Sequence, residues 1–202
     1  MSDAVRYDAL VLAGGRGTRL GGVDKAGLVV AGRSLLTRAL AAADGAEQRV
    51  VVGPGPVPDG VVQTLEQPAD GGPVAGIAAG HAALDRPGRP PWTLVLAVDQ
   101  PAAALTVPNL LAACASVGES DPPGLVCPAD ADGRPQWLLA LYRNDRLAAR
   151  LAELDEVRDC SVRELVEPLR PCTVPVAAEH LRDVDTWQDV SHWEERLDSG
   201  PW

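Results

Sequence analysis

From Thr93 to Val98 the chain reads Thr-Leu-Val-Leu-Ala-Val, apolar at every position after the first and with no polar alternation. A strand with one face in water alternates apolar and polar side chains, whereas a strand covered on both faces reads as a continuous apolar run. This segment therefore predicts a central strand with helices above and below it. Related Val- and Leu-rich runs predict strands at Asp8–Leu12, Arg49–Gly53, Val61–Leu65, Leu125–Pro128 and Trp137–Tyr142. Between and after them, Ala/Leu-rich segments predict helices at Leu35–Ala43, Val74–Leu84, Val107–Val117, Asp145–Leu154, Val162–Val166 and Thr186–Leu197. Alternation of this kind gives an α/β fold, Rossmann-like and three-layered, with a mainly parallel central sheet. Thr186-Trp187-Gln188-Asp189 predicts a capping box at the start of the last helix.

A chain of 202 residues suits one such domain, taken here as 1–202. Phe is absent, so Val, Leu and Ala must fill most of the core. Met1 to Asp8 holds two acids and no apolar signal region, and no apolar run reaches membrane-spanning length. The expectation is a cytoplasmic protein with no membrane partner. Cys114, Cys127, Cys160 and Cys172 form no CxxC pair and are expected to be buried thiols. A net charge of −10 argues against nucleic acid as a partner. It leaves room for a small anion, because screening confines charge effects to about 8–10 Å and a local basic cluster can outweigh a distant acidic surface.

Such a cluster follows the first predicted strand. The run Leu12-Ala13-Gly14-Gly15-Arg16-Gly17-Thr18-Arg19-Leu20-Gly21-Gly22-Val23-Asp24-Lys25-Ala26 contains the only lysine among 18 basic residues. An ammonium is a compact charge on a flexible stem, and the wide guanidinium fork replaces it poorly between phosphate oxygens. Gly14, Gly15 and Gly17 let the backbone approach a ligand and turn N–H groups toward it. The Walker loop does not fit, since Asp24 precedes Lys25 and Ala26 follows. The dinucleotide fingerprint does not fit either, since Leu20 stands where its third glycine belongs.

Leu12-Ala13-Gly14-Gly15, Arg19-Leu20-Gly21 and Asp24-Lys25-Ala26 together resemble the signature of the MobA-like nucleotidyltransferases. Sugar-phosphate nucleotidyltransferases share Gly14-Gly15-Arg16-Gly17-Thr18-Arg19-Leu20, but they continue to a Pro-Lys pair further on. Gly71-Gly72-Pro73-Val74-Ala75-Gly76-Ile77 is similar to the family's second glycine motif, and Asp99-Gln100-Pro101 to its magnesium-binding segment. Arg134-Pro135-Gln136-Trp137 and Asp183-Val184-Asp185-Thr186 resemble later segments. The resemblance implies the nucleotidyltransferase version of the α/β fold and transfer of GMP from GTP to molybdenum-molybdopterin, with loss of pyrophosphate. It implies Arg19, Lys25 and Asp99 as catalytic residues, with Asp99 holding Mg²⁺. It further implies that Leu12, Ala13, Gly14, Gly15, Gly17, Glu66, Gln67 and Gly72 join Lys25 and Asp99 around the nucleotide. A molybdoenzyme or a cofactor-insertion protein is the macromolecular partner such a product would need.

The chain departs from the pattern at two points. The acid that often precedes the second glycine motif is Gln67 here, with Glu66 beside it, and the Pro that often follows the late Thr is Trp187. The first departure leaves open CTP as donor, a sugar phosphate or small phosphoacid as acceptor, and a weakly catalytic nucleotide-binding accessory role.

Overall fold

The computed structural model describes residues 4–14, 20–67, 69–117 and 122–198. Nine strands are defined among them: β1 (Tyr7–Leu12), β2 (Val29–Val30), β3 (Arg33–Ser34), β4 (Arg49–Val52), β5 (Val62–Thr64), β6 (Trp92–Ala97), β7 (Leu125–Ala129), β8 (Leu139–Arg143) and β9 (Pro171–Pro175). The helices are α1 (Leu35–Ala42), α2 (Gly72–Ala83), α3 (Ala103–Ser116), α4 (Asn144–Glu153), α5 (Val162–Val166) and α6 (Trp187–Asp198). Two 3-10 turns, Glu167–Leu169 and Ala178–Leu181, flank β9.

Seven strands form one sheet in the order β5-β4-β1-β6-β8-β7-β9, and β2 pairs with β3 in a small hairpin. Only β8 runs against its neighbours in the main sheet. The carboxyl ends of the other six strands therefore open on one edge. Ligands of open α/β sheets bind along that edge.

The central strands of the sheet are buried on both faces. Ala9, Val11, Leu94 and Leu96 face the side carrying α1, α3 and α6, while Leu10, Val50 and Val95 face the side carrying α2, α4 and α5. Each fully buried leucine contributes about 1.5–3 kcal/mol relative to an exposed one. Helix α2 lies close on β1 because two glycines of its inner face carry no Cβ. A Cβ on Gly76 would stand 2.9 Å from Leu12 Cδ2, and one on Gly80 would overlap the Leu10 side chain.

At the opposite edge of the sheet the buried Asp8 accepts paired hydrogen bonds from Arg86, at 2.6 and 2.7 Å. Arg89 donates to Thr93 Oγ1, and Thr93 donates to Asn144. Burial, then the charge of Arg89, pushes the His81 pKa down to about 4, so the ring is neutral at pH 7. This network pins the starts of β1 and β6 to the end of β8, and it lies far from the ligand edge.

The six expected strands are all present, as are the six expected helices, with shifted ends. Helix α3 begins at Ala103 rather than Val107 and accommodates Pro108 in its second turn. Helix α2 begins at Gly72, with Pro73 in its first turn, where a missing N–H costs no helical bond. Strand β8 begins at Leu139 rather than Trp137. Strand β9 is an addition to the expected set, since Pro171 and Pro175 argue against a strand. It survives as the last strand of the sheet, pairing only with β7, and an edge strand can spare N–H groups. The hairpin β2–β3 is a second addition, because two-residue strands leave no periodic signal. Of the four thiols, Cys114 and Cys127 are buried as expected, but Cys172 is exposed on β9 and Cys160 is partly exposed.

Candidate functional site

The segment after β1 is held down by its neighbours on both sides. Ala13 N–H donates to the Val52 carbonyl at 2.8 Å, and Val98 N–H to the Leu12 carbonyl at 3.0 Å. Gly53 allows the approach, since a Cβ there would sit 2.8 Å from the Ala13 carbonyl carbon. Gly14 is exposed at the mouth of this groove. Arg19, Gly15 and Gly17 lie outside the described residues.

Where the description resumes, Gly21 and Gly22 both have positive φ, 76° and 81°. Only glycine adopts that region without strain. Asp24 then accepts a hydrogen bond from Ala26 N–H at 3.0 Å, closing a turn that fixes Lys25. Lys25 Nζ donates to Asp99 Oδ2 at 3.1 Å and to Asp185 Oδ1 at 2.5 Å. Their side chains are 13 %, 24 % and 35 % exposed respectively, so the group is sheltered yet reachable from solvent. Burial would lower the lysine's pKa, but the bond to Asp185 and the charge of Asp99 outweigh it and raise it above its ordinary value. Lys25 is therefore a full cation at neutral pH.

Asp99 follows β6 at the ligand edge. The late segment reaches it through the backbone, with Val184 N–H donating to the Asp99 carbonyl at 2.8 Å. The capping box predicted at Thr186 forms. Asp189 accepts from the N–H groups of Asp185 and Thr186, and Asp189 N–H donates to Thr186 Oγ1. Asp183 completes the acidic surroundings. Burial, then the charges of Asp185 and Asp99, push its pKa up. Two carboxylates bond to one ammonium here, with the charge of Asp183 felt beside them, and the excess negative charge suits a further cation.

In the sequence, Asp183 and Asp185 stand out only as part of a late motif, with no role attached. The contact of Asp185 with Lys25 depends on bringing together residues 160 positions apart in sequence. Glu66, partly buried, and Gln67, exposed, follow β5 at the same edge. Gly72, at φ 85°, opens α2 beside them. The structure thus gathers Leu12 to Gly14, Lys25, Glu66, Gln67, Gly72 and Asp99 along the carboxyl ends of β1, β5 and β6 and at the head of α2. Arg134 sits in the loop after β7 at this edge, and its backbone N–H is tied to Asp130.

The family model described as the MobA-like NTP transferase domain matches residues 9–173. The chain belongs to this family. MobA-like domains are nucleotidyltransferases, and solved structures with the same fold span several of their chemistries. One is the molybdopterin-guanine dinucleotide biosynthesis protein A of Archaeoglobus fulgidus, with 24 % identity, 96 % of this chain and 100 % of that one covered, and a TM-score of 0.65. Another is the 2-C-methyl-D-erythritol 4-phosphate cytidylyltransferase of Thermus thermophilus, with 21 % identity, 96 % and 99 % covered, and a TM-score of 0.64. A third is the inositol-1-phosphate CTP transferase of T. maritima, with 12 % identity, 100 % of each chain covered, and a TM-score of 0.69. At these identities the likeness establishes the fold alone. No curated protein matches the sequence significantly. Among the described residues of this MobA-like chain, no helix is long and apolar enough to cross a membrane.

Proposed function

We propose that this MobA-like protein transfers GMP from GTP to molybdenum-loaded molybdopterin. An oxygen of the acceptor's terminal phosphate bonds to the α-phosphorus of GTP, the bond from that phosphorus to the bridging oxygen breaks, and pyrophosphate leaves with the electron pair. The observation carrying the reading is the contact of Lys25 with both Asp99 and Asp185 at the carboxyl edge of the sheet. Phosphoryl chemistry of this type depends on positioning and on neutralising charge. Lys25 would swing from the carboxylates to the triphosphate, with Arg19 as a second cation. Leu12, Ala13 and Gly14 would face the base through their backbone, while Glu66, Gln67 and Gly72 would border the nucleoside. Gly15 and Gly17 would extend the phosphate loop.

The acidic group also fits Mg²⁺. Among the described residues no three-ligand protein cage exists, and Mg²⁺ does not require one. It is commonly held by one or two carboxylates, with substrate phosphates and waters filling its remaining positions. Asp99, with Asp185 beside it, would hold the ion, and bound there it would supply Lewis-acid neutralisation of phosphate charge.

The test is pyrophosphate release with Mg²⁺ and each NTP in turn, using molybdenum-loaded molybdopterin as acceptor. Acceptor-dependent release with GTP alone is the expected result. A second reading, CTP as donor, is favoured by Gln67 in place of the usual acid and by the two CTP-using enzymes that share the fold. A preference for CTP in the same assay would establish it. Tight GTP binding without release would point to the accessory role.

A further inference from the structure

Among the described residues, the large apolar side chains left exposed are Val23, Val29, Leu65 and Trp187. Their distribution is not random. Val23 and Val29 bracket Lys25 in sequence, Leu65 follows β5 immediately before Glu66, and Trp187 follows Asp185 by two residues. All four therefore fall on segments that feed the ligand edge. Singly exposed apolar residues are ordinary on a protein surface, so these four gain meaning only from their place on the segments that carry Lys25, Glu66 and Asp185.

Leu65 and Trp187 fall on opposite sides of the sheet. Leu65 belongs with Glu66, Gln67 and the head of α2, whose inner residues Val74 and Ile77 pack on one face of the sheet. Trp187 opens α6, whose Val190 and Trp193 pack on the other face, with α1 and α3. The nucleoside is assigned to the first side, which leaves Trp187 for the second substrate.

Trp187 is 54 % exposed, although its backbone is firmly held. The capping box fixes Asp185 and Thr186, and Ser191 Oγ donates to the Trp187 carbonyl at 3.2 Å. Asp185, two residues away and thus within about 7 Å along the chain, bonds to Lys25. The acceptor's phosphate has to meet the α-phosphate beside Lys25 and Asp99, so a ring joined to it by a short linker would come within reach of the segment that carries Trp187. A half-exposed indole on a held backbone offers a flat face for stacking, and an aromatic side chain has few torsions to order.

We propose that Trp187 is the platform on which the fused heteroaromatic ring of the acceptor stacks, and that it selects ring-bearing phosphomonoesters over ringless ones. The inference rests on the acceptor reading given above and names the side chain that would enforce it.

The test compares wild type, Trp187→Ala and Trp187→Phe, measuring pyrophosphate release while GTP, molybdenum-loaded molybdopterin and a ringless phosphomonoester such as a sugar phosphate are varied. Trp187→Ala is expected to raise the KM for molybdopterin about 5- to 150-fold, the range found for base–aromatic stacking, with kcat changed far less. The KM for GTP should stay within about twofold, and Trp187→Phe should recover most of the loss, as stacking on a smaller face would. Wild type that uses molybdopterin while Trp187→Ala binds it equally well overturns the platform and leaves the proposed function standing. A rise confined to the KM for GTP also overturns it, by giving the indole to the base. Wild type that turns over only the ringless phosphate overturns the acceptor reading and the platform together.

Discussion

Replacing Lys25 with Met keeps an apolar stem and removes the ammonium, which separates charge from packing. In the folded protein Asp99 and Asp185 then face each other, with Asp183 close by and no cation between them. Breaking a fully buried ion pair costs about 3–5 kcal/mol. Here the two carboxylates are 24 % and 35 % exposed, so water recovers part of the loss. A discounted cost of about 1–2 kcal/mol follows. For a chain of this size that lowers Tm by about 2–8 °C.

The activity loss is expected to be larger, since removing one preorganised charge donor costs about 2.7–4 kcal/mol in the transition state, or 10²–10³ in kcat. Pyrophosphate release measured at a temperature below the onset of the variant's own melting curve reads the second effect without the first. The pH dependence gives a further check. Lys25 has its pKa raised from 10.5, so its stabilisation is complete below that value and disappears as pH rises through the raised one. The Tm difference between wild type and Lys25→Met should be constant from neutral pH to about 10 and narrow only above 10.5. A variant with kcat within about threefold of wild type would refute the catalytic assignment. A Tm gap that closes between pH 7 and pH 9 would refute the electrostatic one.

Gly80→Ala should destabilise the fold by up to about 2 kcal/mol, the 1–3 kcal/mol of overpacking less about 1 kcal/mol of helix propensity; a rise in Tm would show that the inner face of α2 has room for a Cβ beside Leu10. For Asp189, burial raises the pKa, but hydrogen bonds from Arg182, Thr186 and Asp185 bring it down to about 2 from 3.8. Its stabilisation is therefore present above pH 3.8 and lost as pH falls toward 2. Asp189→Ala should cost about 1–2 kcal/mol at pH 7, as lost caps do, and the melting curves of variant and wild type should converge on acidification. Asp183 carries the opposite sign. Its raised pKa makes its ionised form a liability that appears as pH climbs past the ordinary 3.8, so Asp183→Asn should raise Tm at pH 7 and leave it unchanged at pH 3.5. Calorimetry at the two pH values would expose an equal effect at both as a contradiction.

Much of this protein is legible from local chemistry. The unbroken apolar run at Thr93–Val98 specifies a strand buried on both faces, and it forms as β6 in the middle of the sheet. Thr186 and Asp189 specify a helix start because a cap is completed within four residues. The glycines at 21 and 22 and the turn at Asp24 present Lys25 by local geometry alone. Other features carry no local signal. Strand β9 holds two prolines and exists because β7 offers it a partner. Cys172 is exposed because that strand ends the sheet. The pairing of Lys25 with Asp185 joins the two ends of the chain, and it depends on Val184 bonding to the backbone of Asp99. Sequence by itself determined six strands of the main sheet, the six helices and the glycine turn that presents Lys25, because propensity, caps and turns act over a few residues. Only the tertiary structure decided which acids would surround the one lysine, because their approach is set by strand order and packing across the whole sheet.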